Sequence, residues 1–227
     1  EGLVPVPREL SLFLLIIFSN STGCVIPQFL NPLSTKDDSI IDERLVGHWA
    51  PIEIDENGVQ SQTTPDDVFG QYIVLGRHSE QKEAMIAAQT KLTSDGKVDH
   101  ESRIGIATRL DDQYYIAWKL HPKERNHDDK SMLTNTTYTV TTYTLQNNDT
   151  LLTIFMLDHE HIIEAVKEGR LSGVIEEEVV IRKGKEKTEI KNVIIESSTA
   201  ELREYFTKFG SVAFNRTEPS YYRKVVK

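Results

Sequence analysis

From Ile40 onward the chain alternates short runs rich in β-branched and aromatic residues with polar turn sequences. This pattern constrains the fold more than any other feature, because such residues suit a pleated, half-buried surface. Trp49–Ile54 runs to Asn57-Gly58, a dipeptide suited to tight hairpin turns. Tyr72–Leu75 follows, then Ala84–Leu92 and Lys97–Leu110 across Ser94-Asp95-Gly96, then Tyr114–Leu120 after Asp111-Asp112. Thr136–Leu145 and Leu151–Leu157 flank Gln146–Thr150, and Val174–Arg182 and Thr188–Ile195 flank Lys183-Gly184. Strands at this spacing predict an antiparallel meander, which closes most economically into a barrel or a strongly curled sheet. The class is mainly β.

Two short helices in the C-terminal half interrupt the meander. Asp158 is placed as an N-cap ahead of Ile162, Ile163, Ala165 and Val166, and Gly169 as the stop. Ser198 and Glu201 form a capping box, and Leu202, Tyr205, Phe206 and Phe209 recur at helical spacing before Gly210. That stripe needs a hydrophobic partner, such as the flank of a curled sheet. Val212–Phe214 and Tyr221–Val226 are then the last strands, completing the sheet.

The N-terminal part reads as an address. Arg8, the apolar run Leu10–Phe18 and the small residues Ser21-Thr22-Gly23 lead directly to Cys24, the only cysteine. A basic residue, an apolar core of under about 15 residues and a small-residue cut describe a secretory signal, whereas a spanning helix needs roughly 20 apolar residues. Cys24 at the cut is the expected lipid-attachment residue. The alternative is a buried N-terminal element with Cys24 as a core thiol. The expected organisation is a signal peptide over Glu1–Gly23, the lipidated cysteine and a flexible Pro-punctuated tether over Cys24–Ser39, and one β domain over Ile40–Lys227. A net charge of −9 makes nucleic acid an unfavourable partner, and it leaves Cys24 as the expected route to a membrane.

Several positions together resemble a group of small uncharacterised planctomycete-type bacterial lipoproteins with a lipocalin-like Gly-x-Trp motif. These are Leu45, Gly47 and Trp49; Tyr114 to Leu120; Tyr138, Tyr143 and Leu151-Leu152; Ala165, Gly169, Leu171 and Gly173; and Glu201-Leu202, Phe214 and Arg223. The resemblance covers most of the β domain and implies a lipocalin-like barrel, with Trp49 packed across its closed end and Arg223 as a candidate to stack on it. It implies a place in the cell envelope and no assigned activity.

Candidate chemistry is sparse. Asp158-His159-Glu160-His161 contains good metal-ligand types. In the first turn of a helix, however, residues two apart point in different directions, and acidic groups there serve the helix dipole. His121–Asp129 reads as a polar loop. There is no Gly-x-Ser-x-Gly elbow, phosphate-cradling glycine loop or His-Glu-x-x-His helix. The paired acids Asp37-Asp38, Asp66-Asp67, Asp111-Asp112 and Asp128-Asp129 all sit in turn-like stretches. No catalytic residue, metal site or cofactor is therefore assigned. The leading expectation is an exported, lipid-anchored envelope protein that binds a small apolar ligand, with Trp49, Tyr115, Trp118, Tyr138 and Tyr143 as candidate lining. An envelope protein–protein module is the alternative, and a metal-dependent or other hydrolase ranks last.

Overall fold

A computed structural model describes residues 25–54, 60–62, 72–92, 98–120, 136–182 and 185–225. The strands are β1 (Gln28–Phe29), β2 (Gly47–Ile54), β3 (Gln60–Gln62), β4 (Ile73–Arg77), β5 (Met85–Leu92), β6 (Val98–Leu110), β7 (Gln113–Lys119), β8 (Tyr138–Gln146), β9 (Leu151–Met156), β10 (Gly173–Arg182), β11 (Lys185–Ile195) and β12 (Ser220–Lys224). The helices are α1 (His159–Lys167) and α2 (Thr199–Phe209). Cys24, the run Leu10–Phe18, the turns Asn57-Gly58, Ser94-Asp95-Gly96 and Lys183-Gly184, the paired acids Asp66-Asp67 and Asp128-Asp129, and the loop His121–Asp129 lie outside the described residues.

Eight strands close a barrel in the ring order β2-β4-β5-β6-β7-β8-β9-β12, every neighbour antiparallel. It is an up-and-down meander, and β12 closes it by entering between β9 and β2 after the insertion α1-β10-β11-α2. Turn chemistry matches the residues. Asp111 (φ 51°) makes the two-residue β6–β7 turn, and Asn147, Asn148 and Asp149 (φ 53°, 54° and 61°) carry β8 into β9. These are the residue types that tolerate the left-handed region best after glycine.

The barrel wall separates two cores. On β7, Ile116 and Trp118 face the interior with Trp49, Leu75, Met85, Ala107, Tyr143, Leu152 and Tyr222. Tyr115 and Ala117, the alternate residues, face outward to an outer core with Leu202, Tyr205, Phe206 and Phe214. The outer face is covered by α1 and α2, both capped as their sequences predict: Asp158 accepts from His161 N, and Ser198 and Glu201 form a reciprocal capping box.

Two segments depart from expectation. The stretch read as a tether is folded from residue 25: Phe29 and Leu33 are fully buried, and β1 pairs parallel to β11 and antiparallel to β8. Where β9 ends opposite Thr141, β1 takes over the free edge of β8 opposite Tyr138. The polar groups of this stretch find partners: Thr199 Oγ1 donates to Pro32 O at 2.9 Å, Asn31 Nδ2 to Ser197 O at 3.0 Å, and Arg203 Nη1 to Asp38 Oδ2 at 2.6 Å. Two buried aliphatic and aromatic anchors thus override a composition that suggested a loose chain. Second, Val212–Phe214 is not a strand. Val212 N and Ala213 N donate back to Phe209 O at the end of α2, which leaves one isolated bridge between Phe214 and Leu157.

Candidate ligand site in the barrel

One end of the barrel is sealed from the sequence upward. Asp42 caps the 3₁₀ turn Glu43–Leu45, which brings Leu45 under the barrel, fully buried. Leu45 O accepts from Trp49 Nε1 at 2.7 Å, which fixes the fully buried indole. Lys224 lies directly opposite Trp49 in the β12–β2 ladder; its Nζ sits 5.2 Å from the ring centroid and donates to Arg44 O at 2.8 Å. Lysine thus supplies the cation over the tryptophan, while Arg223, the expected partner, pairs with Ala50 one position along. The glycine of Gly-x-Trp now has a physical reason. Gly47 holds φ at +148°, and a Cβ there would stand 2.8 Å from Lys224 Cε, so a side chain would displace the cation from Trp49.

The same end holds a charged clasp. Asp42 accepts from Arg44 Nε at 2.8 Å, Arg44 Nη2 at 2.7 Å and Tyr143 Oη at 2.8 Å. Burial pushes the Asp42 carboxyl up, but the Arg44 guanidinium and the Tyr143 hydroxyl outweigh it and hold the group below the usual carboxylate range. Burial and the adjacent Asp42 charge push the Tyr143 hydroxyl far above its ordinary value. Because the folded Asp42 pKa is depressed, its stabilisation is fully present above the unfolded value of 3.8 and is lost as pH falls through the lower folded value. Asp42→Asn should therefore cost about 1–3 kcal/mol at pH 7, the Arg44 side chain being 39 % exposed, with the deficit shrinking as the pH falls through the depressed folded pKa of Asp42. Urea unfolding of both proteins between pH 2.5 and 7 checks this; a pH-independent difference would exclude the carboxylate as its source.

Away from the sealed end the interior becomes mixed. Trp118 enters because β6 offers Gly105 beneath it, where a Cβ would lie 2.7 Å from Cζ3 of the indole. Its Nε1 donates to Thr141 Oγ1 at 3.0 Å. Thr139, Thr141 and Tyr143 alternate along the inner face of β8, and Arg103, ion-paired to Glu101, and Gln89 are buried on the facing strands. Among the described residues, the buried hydroxyl of Thr139 has no hydrogen-bond partner, and that of Tyr222 has only the Ser220 side chain on its own strand to meet it. Burial raises the Tyr222 pKa, which Ser220 on the same strand offsets only in part.

The five aromatic residues proposed as lining divide between the two cores. Trp49, Trp118 and Tyr143 face the interior, and Tyr115 and Tyr138 face outward, packed under the helices. Tyr115, with its hydroxyl donating to Gln113 Oε1 at 2.6 Å, is pushed up to about 12 by burial. Parity foretold the division: Tyr115 and Trp118, like Tyr138 and Tyr143, are an odd number of residues apart on one strand. Sequence reading missed Asp42, Gln89, Arg103, Thr139, Tyr222 and Lys224. For Arg103 and Gln89 the available signal was the alternation Gln89-Ala87-Met85 and Arg103-Gly105-Ala107, which puts both on faces otherwise built of small or apolar residues.

A concavity lies outside the barrel, an open groove of about 910 Å³ between α1 and β11 that includes His159, His161, Lys187, Ile190 and Val25. Among the described residues no group of three or more His, Cys, Asp or Glu side chains could hold a metal ion, and no helix is long and apolar enough to cross a membrane. No family model, curated protein or solved structure matches this chain.

Proposed function

We propose that this is an exported protein anchored to the cell envelope by a lipid on Cys24, whose barrel takes up a small, mostly apolar ligand at the end opposite Trp49. The anchor is supported by the apolar run and small residues that lead to Cys24, and by the resemblance of Leu45, Gly47, Trp49 and the later positions to bacterial lipoproteins. One observation carries the ligand reading: among the described residues, Thr139 Oγ1 is buried without a partner and Tyr222 Oη is buried with only the Ser220 side chain beside it, in an interior that also carries Trp118, Ile154 and Leu152. Leaving a hydroxyl so buried costs about 1–3 kcal/mol, and an apolar molecule bearing one polar group offsets that cost on binding. An eight-stranded barrel has the right girth for one such molecule.

Mass spectrometry of the chain expressed with its leader in bacteria tests both parts. The expected mature mass lacks Glu1–Gly23 and carries acyl chains on Cys24, and both changes vanish in Cys24→Ser. Native spectra of Cys24→Ser should show a co-purifying small molecule that Tyr222→Phe loses, while the fold of the phenylalanine variant stays intact. An unprocessed wild-type chain sinks the anchor; a Cys24→Ser chain without any adduct sinks the ligand.

A further inference from the structure

The two edges of β11 are used differently. Along one, β10 pairs with it from Gly173 opposite Ile195 to Arg182 opposite Lys185. On the other, β1 pairs only with Ile194 and Ile195, where Leu30 N donates to Ile195 O at 2.9 Å. From Lys187 to Ile190 no strand lies beside that second edge among the described residues. The groove between α1 and β11 follows it. Lys187, Thr188, Glu189 and Ile190 all border the groove, although successive side chains of a strand point to opposite faces, so the groove runs along the edge of the strand rather than over one face. An open edge is a template for a further strand, which proteins ordinarily cover or break. Here α1 stands off from the edge and leaves about 910 Å³ between them.

The groove has a chemical character as well as a shape. Val25, Ile163 and Ile190 are half-buried against the outer core and give it an apolar floor. On the α1 wall, Glu160 and Glu164 lie one turn apart on one face, and both are exposed. Lys187 reaches Glu189 at 3.1 Å, so those two charges offset each other. Asp158 is engaged in capping α1, which leaves Lys167 against the two glutamates. The excess charge along the groove is therefore negative.

We propose that this edge of β11 docks an extended peptide with alternating apolar and basic side chains, which continues the line of β1 past Val25, rests its apolar side chains on Ile163 and Ile190 and offers its basic ones to Glu160 and Glu164. The proposal stands apart from the anchor and from the ligand in the barrel, and depends on neither. Three observations converge on a strand as the occupant. The edge already accepts one strand, β1; the groove continues that edge; and both walls of the groove are fixed elements, a strand on one side and a capped helix on the other. In this mode of recognition main-chain hydrogen bonds supply affinity and the pockets for alternate side chains supply specificity. The acidic wall sets the sign of the partner.

The test is a titration of the full chain with a synthetic peptide of alternating valine and lysine, about six residues long, followed by amide hydrogen exchange. Binding should saturate below about 1 mM, with new protection in β11 and none in β4 and β5. Glu160→Gln together with Glu164→Gln should weaken it about fivefold; both glutamates are exposed, so the fold stays in place. N-methylating alternate backbone amides of the peptide, in one of the two possible phases, should weaken it about tenfold or more, because only one set of amides faces β11. No saturation up to about 1 mM overturns the proposal, as does binding indifferent to N-methylation in both phases or to the two glutamines. Groove-side amides of β11 that are already protected without peptide assign the edge to the chain's own residues before Val25 or to a second copy, and overturn it too.

Discussion

Phe206→Ala is expected to destabilise the protein by about 3–5 kcal/mol, a large fraction of the 5–15 kcal/mol that holds a typical domain. Phe206 is 1 % exposed and stands at the centre of the outer core. Its ring lies 6.2 Å from Phe29, 5.7 Å from Tyr115, 5.7 Å from Phe214 and, edge-on, 5.4 Å from Tyr205. Those four neighbours come from β1, β7, the segment after α2 and α2 itself, so the ring joins the helical layer to the barrel wall. Removing it leaves a cavity that rigid aromatic neighbours collapse into poorly. Phe206→Leu should recover more than half of the loss. Urea unfolding measures the totals, and amide exchange locates them. Protection should fall first in α1, α2 and β1, and last in β4 and β5, whose side chains belong to the interior core. Equal loss across all strands would show that the two cores unfold as one unit.

That division explains how much of the molecule was legible in advance. The meander was, because each ring strand carries its own alternation and each described turn its own chemistry: Asp111, Asn147 and Asp149 name their turns, and Ser198 and Glu201 name the start of α2. These are local signals, satisfied within a few residues. What escaped depends on pairings between distant residues. Phe29 and Leu33 lie in a stretch that reads as a tether, because their partners, on β11 and α2, come more than 150 residues later. Lys224 rather than Arg223 reaches Trp49 because of the β12 register, and a slip of one residue turns every side chain to the other face. Asp42 precedes β2, the first strand of the barrel ring, and has no periodic context, and its worth comes from Tyr143, a hundred residues on. The site was therefore most legible at its closed end, where Gly47 and Trp49 stand two residues apart at the start of β2. Its polar half, from Gln89 to Tyr222, exists only once the ring closes.

Trp49→Ala carries the other large effect, again about 3–5 kcal/mol, and here the loss has separable parts. The indole is fully buried, so most of the cost is packing against the interior core. A smaller part is the hydrogen bond from Nε1 to Leu45 O, and without it the last carbonyl of the 3₁₀ turn is left without that donor. A third is the attraction of Lys224 Nζ for the ring face, of the order of 1 kcal/mol. Trp49→Phe keeps an aromatic face but no donor, and should cost about 1–2 kcal/mol. Lys224→Met keeps the stem over the ring and removes the charge, and should cost about 1 kcal/mol in wild type but nearly nothing beside Trp49→Ala. Urea unfolding of the four proteins closes this cycle. If the two single effects add, the lysine is held by Arg44 O alone and its place over the indole is a consequence of strand register. If the lysine effect disappears with the ring, the Gly47–Trp49–Lys224 arrangement is a working seal, and the closed end of the barrel is built around it.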